Sequence, residues 1–211
     1  GSNTDGGMRN IFVTNCNYIG TDIGIRVKSN AGRGGLVKDI YIQDIFMKDI
    51  VNEAISFDTY YENMPAGRTI DTTRKVLRDK TPVFRDFHIS NIVCNGANTA
   101  LSITGLPEMP VQKIFFENMT IAADKGVSAN AAADIELKNV KIIPAKGPVY
   151  SLNNSSGIHI INGYLPANLQ EFLSAETNVS NVTISGTDLR NSSSAIKLGE
   201  KINKQAVRLE K

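Results

Sequence analysis

A seven-residue phrase recurs along the chain, and no other feature constrains the fold as tightly. It consists of a polar residue or Gly, an apolar residue, any residue, an apolar residue, any residue, then Asn, Asp or Gly, then usually an apolar residue. It reads NIFVTNC at 10–16, DIYIQDI at 39–45, DFHISNI at 86–92 and KIFFENM at 113–119. Three more copies follow: DIELKNV at 134–140, GIHIING at 157–163 and NVTISGT at 181–187. The sixth positions are separated by 29, 47, 27, 21, 23 and 24 residues, and the long step holds a polar insertion at about 61–82. A weaker phrase follows each copy: a small or turn-forming residue, then an apolar–any–apolar triplet. It reads GIRVK at 24–28, AISFD at 54–58, ALSIT at 100–104 and GVSAN at 126–130, then PVYSL at 148–152, EFLSA at 171–175 and AIKLG at 195–199.

Both phrases alternate with period two, the signature of half-buried strands. Two short strands per turn at this spacing predict an all-β fold, a right-handed parallel β-helix of about seven coils over residues 1–199. A charged tail, 200–211, is expected to cover the last coil. Coils would stack at the ordinary inter-strand spacing of ~4.8 Å. The 24 Ile and 21 Asn of the 211 residues then have places. Isoleucines fill inward columns, and asparagines mark corners, where their side chains can bond neighbouring backbone and stack into a polar ladder. A leucine-rich repeat fails because no repeat carries a helical half. A β-sandwich would need hairpins at about 8–12-residue spacing.

A net charge of +2, from 23 basic and 21 acidic residues, predicts no nucleic-acid partner. No apolar run approaches the ~18 residues of a spanning helix, so no membrane partner is expected. Cys16 and Cys94 lie two repeats apart, too far for a bridge. No His, Asp or Glu grouping has metal spacing, and no metal or cofactor is expected.

In the second phrase, inward Ile25 and Val27 alternate with outward Arg26 and Lys28. The next coil should place Ser56 near Arg26 and Asp58 near Lys28. Two readings stay open: a Lys28–Asp58 cross-strand pair worth ~0.2–1 kcal/mol, or an anion site. Arg offers a planar fork for a carboxylate and Lys a point charge. Tyr60, Tyr61 and Glu62 open the insertion, where aromatic rings can stack on sugars or simply pack the rim. Arg68, Arg74, Lys75, Arg78 and Lys80 make the insertion basic. Asp22 can orient Arg26 or cap a turn.

The stretch TDIGIRVKSNAGRGG at 21–35 closely resembles the segment around the Arg-Ile-Lys motif of polygalacturonases, glycoside hydrolase family 28. Only the inward middle residue differs, Val27 for the usual Ile. GGMRNIFVTNCNYIGTDIG at 6–24 and VKDIYIQDIFMKDIVNEAISFDTYYEN at 37–63 resemble bacterial members. DIELKNVKIIPAKGPVYSLNNSS at 134–156 resembles the family's C-terminal half. The resemblance implies a β-helix, inverting hydrolysis of α-1,4-galacturonide linkages in pectin, an acidic galacturonan-like partner and a secreted or periplasmic location. It also implies that Arg26 and Lys28 hold the carboxylate of the sugar beside the cleaved bond. The candidate substrate-binding set is Arg26, Lys28, Asp58, Tyr60 and Tyr61.

The family's Asn-Thr-Asp, Asp-Asp and Gly-His-Gly motifs lie upstream of its Arg-Ile-Lys segment. Here Asn3, Thr4 and Asp5 spell the first, but so close to Arg26 that a turn is expected instead. No Asp-Asp pair occurs in the chain. His88 and His159 lack flanking glycines and are expected on the surface. A Tyr of the family's next coil is matched by Glu53. The chain is therefore expected to be the C-terminal portion of a polygalacturonase-like enzyme, with no catalytic residue of its own and inactive alone. A binding β-helix without catalysis and a purely structural β-helix are the alternatives. The open first coil is expected to be covered, by a second copy or other partner or by its own distortion.

Overall fold

The left-handed backbone of a few polar residues sets the shape of the coil. The first positions of the phrase, Asn10, Asp39, Asp86, Lys113, Asp134 and Asn181, have φ between 52° and 59°. So do the sixth positions Asn15, Asp44, Asn91, Asn118, Asn139 and Asn162. Gly157 and Gly186 fill the two remaining slots at φ 66° and 60°. Asn, Asp and Gly reach this region most readily, so each phrase begins and ends in a built-in corner.

The computed structural model describes residues 6–61, 75–190 and 192–210. Its strands are β1 (Met8–Ile19), β2 (Ile25–Lys28), β3 (Leu36–Lys48), β4 (Glu53–Asp58), β5 (Val83–Asn95) and β6 (Thr99–Thr104). Then come β7 (Val111–Asn130), β8 (Ala132–Asn153), β9 (Ser156–Ile161), β10 (Leu173–Thr177) and β11 (Ser180–Ser185). Last are α1 (Ser192–Ala195), β12 (Ile196–Leu198), a 3-10 turn at Lys204–Ala206 and β13 (Val207–Glu210). The order β1-β3-β5-β7-β8-β9-β11-β13 carries the first phrase, and every pairing between strands is parallel. This is a right-handed parallel β-helix. Residues 207–210 add an eighth rung to that face.

Inward residues stack by register. Ile11, Ile40, Phe87, Ile114, Ile135, Ile158 and Val182 form one column, and all but half-buried Ile11 are buried. Across the core, Ile25, Ile55, Leu101, Val127, Tyr150, Leu173 and Ile196 form another. Each methylene so buried contributes ~0.8 kcal/mol.

Four features depart from the sequence reading. First, β1, β3, β5, β7 and β8 bend at the left-handed sixth position and continue. A third face results, with Cys16, Ile45, Ile92, Met119 and Val140 in one column. Those coils have three strand segments, where two were expected. Second, the expected polar ladder of corner residues forms by side chains bonding one another, where bonds to backbone were also expected. Asn139 Nδ2 donates to Asn118 Oδ1 at 3.0 Å, Asn162 to Asn139 at 2.9 Å, and Asn91 to Asp44 at 2.9 Å. Amide groups stacked one rung apart match donor to acceptor directly. Third, phrases 148–152 and 171–175 sit one residue out. A register shift in the β7–β8 ladder aligns Val127 with Tyr150, so the inward pairs are Tyr150/Leu152 and Leu173/Ala175. Val149 and Phe172, just before them, are buried as well. Fourth, the first coil is regular: β1 pairs with β3 along its whole length, so of the two covers expected for this end, its own distortion is absent. Its half-buried Ile11 and Val13 line an open cavity of about 310 Å³ with Met8, Tyr18 and Val27.

Cys16 and Cys94 are free; Cys94 is buried, and burial pushes its thiol up to about 11. Among the described residues, no helix is long and apolar enough to cross a membrane.

Candidate functional site

Strand alternation turns Arg26 and Lys28 outward from β2, as expected, and β4 follows in register with Arg26 opposite Ser56 and Lys28 opposite Asp58. Arg26 is exposed, Lys28 and Asp58 half-buried, and Ser56 buried. Among the described residues no ion pair joins Lys28 to Asp58. The Lys28 ammonium instead lies 3.6 Å from the centre of the Tyr61 ring, and the Arg26 guanidinium 4.9 Å. The Arg33 guanidinium is 5.8 Å from the same ring. An aromatic face attracts cations through its quadrupole, at ~0.5–1 kcal/mol each in exposed settings. Tyr61 thus gathers three positive groups that would repel one another if left to themselves.

The turn after β4 brings Tyr61 there. Asp58 Oδ1 accepts from the Tyr60 backbone N–H at 2.8 Å, the side-chain turn that Asp favours two residues ahead. Tyr61 N then donates to Ser29 O at 3.2 Å, and Asn30 Nδ2 donates to Tyr61 O at 2.8 Å. Asn30 and Tyr60 also form an antiparallel bridge. The chain leaving β4 is thereby folded back over the end of β2. Tyr60 is buried at 9% exposure, and the ring over which the cations stand is that of Tyr61. Burial raises the pKa of Asp58; the Tyr60 N–H, Arg26 and Lys28 pull the other way without cancelling it.

The other sequence-stated candidates separate from this site. Asp22 accepts from Asn52 Nδ2 at 2.6 Å, which ties two coil connections together. Glu53 is half-buried opposite Thr99. His88 stacks between Tyr41 and Phe115, with ring centres 5.0 and 4.9 Å away, and Phe12 extends the stack beyond Tyr41 at 4.9 Å. Enclosed on both faces, His88 is a rung of an outer aromatic ladder. His159 Nδ1 lies 2.7 Å from Thr183 Oγ1. From the insertion, the Lys75 backbone N–H reaches Glu108 Oε2 at 3.3 Å, and Gly32 N donates to Lys80 O at 2.9 Å. Asn3, Thr4, Asp5, Glu62, Arg68 and Arg74 lie outside the described residues.

Sequence reasoning missed one element of the site. The outward position opposite Arg26 is serine on five successive rungs: Ser56, Ser102, Ser128, Ser151 and Ser174, with Lys197 next. The serine recurs in the second phrase, and the register shift before Tyr150 hid its alignment.

Comparison with known proteins places the chain in a family. A sequence profile for glycosyl hydrolases family 28 matches residues 1–125, more than half of the chain. The chain belongs to glycosyl hydrolases family 28. Among relatives, a Vitis vinifera protein named "Probable polygalacturonase" is 27% identical over 128 residues, covering 57% of this chain and 23% of its own length. An exo-poly-alpha-D-galacturonosidase of Dickeya chrysanthemi is 27% identical over 146 residues, 66% of this chain and 23% of its own length. A polygalacturonase of Ralstonia nicotianae is 42% identical over 83 residues, 37% of this chain and 15% of its own length. The family 28 chain therefore spans under a quarter of the length of these curated relatives.

Proposed function

We infer that this chain forms one wall of a polygalacturonase-like cleft and binds the carboxylates of a galacturonan-like polysaccharide through Arg26 and Lys28. The observation that carries this reading is two outward cations in register, held over one tyrosine ring with no carboxylate paired to Lys28 among the described residues. The Arg26 fork suits both oxygens of a uronate, and the Lys28 ammonium adds a point charge. Tyr61 positions both heads, and Tyr60 fastens the turn that holds Tyr61. Asp58 sets how much negative charge stands beside the bound anion.

Inverting hydrolysis needs two carboxyl groups about 6.5–9.5 Å apart, one as acid and one as base. Among the described residues Asp58 is the carboxyl beside the cations, and Asp22 is engaged by Asn52. The role proposed for this chain is accordingly binding, with the acid and base supplied by residues outside it. As in the C-terminal portion of such an enzyme, the Arg/Lys coil would stand next to the catalytic coils. The secreted or periplasmic location of the resemblance goes with this role. Among the described residues β1 pairs only with β3, and its other edge is where a second copy would add, which sedimentation at rising concentration tests.

Calorimetric titration with galacturonate oligomers tests the main reading. Binding should occur and weaken at least about tenfold in Arg26→Ala, since a charge-assisted bond contributes ~1.5–3 kcal/mol. No release of reducing ends from polygalacturonate is expected. Absence of binding favours a structural β-helix, and turnover by the pure chain overturns the assignment of the acids elsewhere.

A further inference from the structure

The register places a second pair of cations on the Arg26 face, far from Tyr61. Lys125 of β7 lies directly opposite Lys146 of β8, on neighbouring rungs, and both are exposed. Among the described residues neither belongs to an ion pair, and nearby Glu171 is taken by Lys197. Like charges directly opposite across parallel strands oppose folding. A pair kept in register and in no ion pair among the described residues is suited to an anion that arrives from outside.

The backbone shapes a place for that anion. Just after Lys125 and Lys146 the ladder shifts register, with two more residues on β8 than on β7 before Val127 meets Tyr150. Gly126 lies so close to the extra residues that a Cβ there would collide with the Val149 and Pro148 carbonyl oxygens. Bulges of this kind re-aim side chains at sites. Here the result is a groove of about 650 Å³ lined by Lys125, Lys146, Thr99, Ser102, Ser128 and Ser151. Its serines belong to the column that starts opposite Arg26. Small side chains leave a trough with hydroxyls along it, joining the two cation sites.

We propose that Lys125 and Lys146 form a second carboxylate-binding station, which holds a uronate of the same acidic polysaccharide that Arg26 and Lys28 engage. The inference rests on the binding role proposed above. Lys125 and Lys146 stand three and four rungs from Arg26, about 14 and 19 Å along the stacking axis at ~4.8 Å per rung, and to one side of its column, since Lys125 precedes Ser128 by three residues. A chain laid along the serine trough would touch both stations, and a disaccharide could reach only one. Joining two stations on one ligand raises affinity through effective concentration.

The test is calorimetric titration of the full chain with galacturonate oligomers of increasing length, for the wild type, Lys125→Gln/Lys146→Gln, Arg26→Ala and a control, Lys113→Gln, on an outer corner. Long oligomers should bind the double variant about three- to tenfold more weakly than wild type, the range of one or two exposed charge pairs. The disaccharide should lose affinity only in Arg26→Ala, and Lys113→Gln should change neither. Unchanged long-oligomer affinity in the double variant overturns the second station and leaves the Arg26 site standing. An equal loss in Lys113→Gln overturns it too, by reducing the effect to net charge. Loss in the double variant with none in Arg26→Ala refutes the Arg26 reading instead. No binding of any oligomer sinks both. Thermal midpoints of the double variant should match or exceed wild type, because a repulsion has been removed.

Discussion

Replacing Tyr150 by Phe should make this protein more stable. Tyr150 is fully buried in the column between Val127 and Leu173, and its hydroxyl has no hydrogen-bond partner among the described residues. The void beside it measures about 10 Å³ and is lined by Leu101, Ile103, Leu137 and Ile158 among other apolar side chains. A buried water needs about that much space and also roughly three polar partners, which aliphatic walls do not offer. Burial of an unbonded hydroxyl costs ~1–3 kcal/mol by protein mutational data. Phe keeps the ring in place. Even doubling the 10 Å³ void costs only ~0.2 kcal/mol at ~24 cal/mol per Å³. The net gain is about 1–2 kcal/mol, or roughly 2–8 °C in Tm at ~2–4 °C per kcal/mol for a chain of this size. Stacked coils need not melt as one unit, so amide exchange in β7, β8 and β10 should slow alongside the rise in Tm. Burial also pushes the hydroxyl pKa far up, so Tyr150 should ionise at high pH only as the fold opens. A Tm equal to or below wild type would mean that the hydroxyl has a partner, and would refute the reasoning.

Two further outcomes follow from the corners and the cation site. Asn139→Ala should cost about 2–3 kcal/mol in urea unfolding, since it removes two ladder bonds and puts a Cβ-only residue at φ 54°; a loss below about 0.5 kcal/mol would count against the ladder. Asp58 has a raised folded pKa, so its contribution to stability is present below the unfolded value of about 3.9 and lost as pH rises through the folded one. Asp58→Asn should therefore raise Tm at pH 7 and leave it nearly unchanged near pH 3. It should also flatten the strengthening of oligomer binding as Asp58 takes up its proton. Lower stability of the Asn variant at pH 7 would contradict the burial argument.

The corners were legible because their cause is local. A residue that tolerates φ near 55° at the sixth position makes a bend wherever the chain places it, and the structure adds a like bend at the first position of the same six-residue run. Alternation told which side chains point in, and repeat spacing told that the runs are stacked in parallel. Arg26 and Lys28 were legible as outward neighbours for the same reason, and their register with Ser56 and Asp58 follows from counting. The continuation of β1, β3 and β5 beyond Asn15, Asp44 and Asn91 was missed because a left-handed residue was read as an end, whereas here it bends a strand that goes on pairing.

What the tertiary structure alone decided depends on neighbours distant in sequence. The shift that puts Tyr150 opposite Val127 is a property of two strands together, since β8 can hold two extra residues only where Gly126 leaves room for their carbonyls. The placing of Tyr61 over Lys28 needs Asn30 and Ser29 to catch the returning chain from more than thirty residues away. Periodicity carries the direction in which a side chain leaves its own strand. It carries nothing about which ring, carbonyl or second cation another coil will bring to meet it, and at Tyr61 and Lys146 that meeting makes the site.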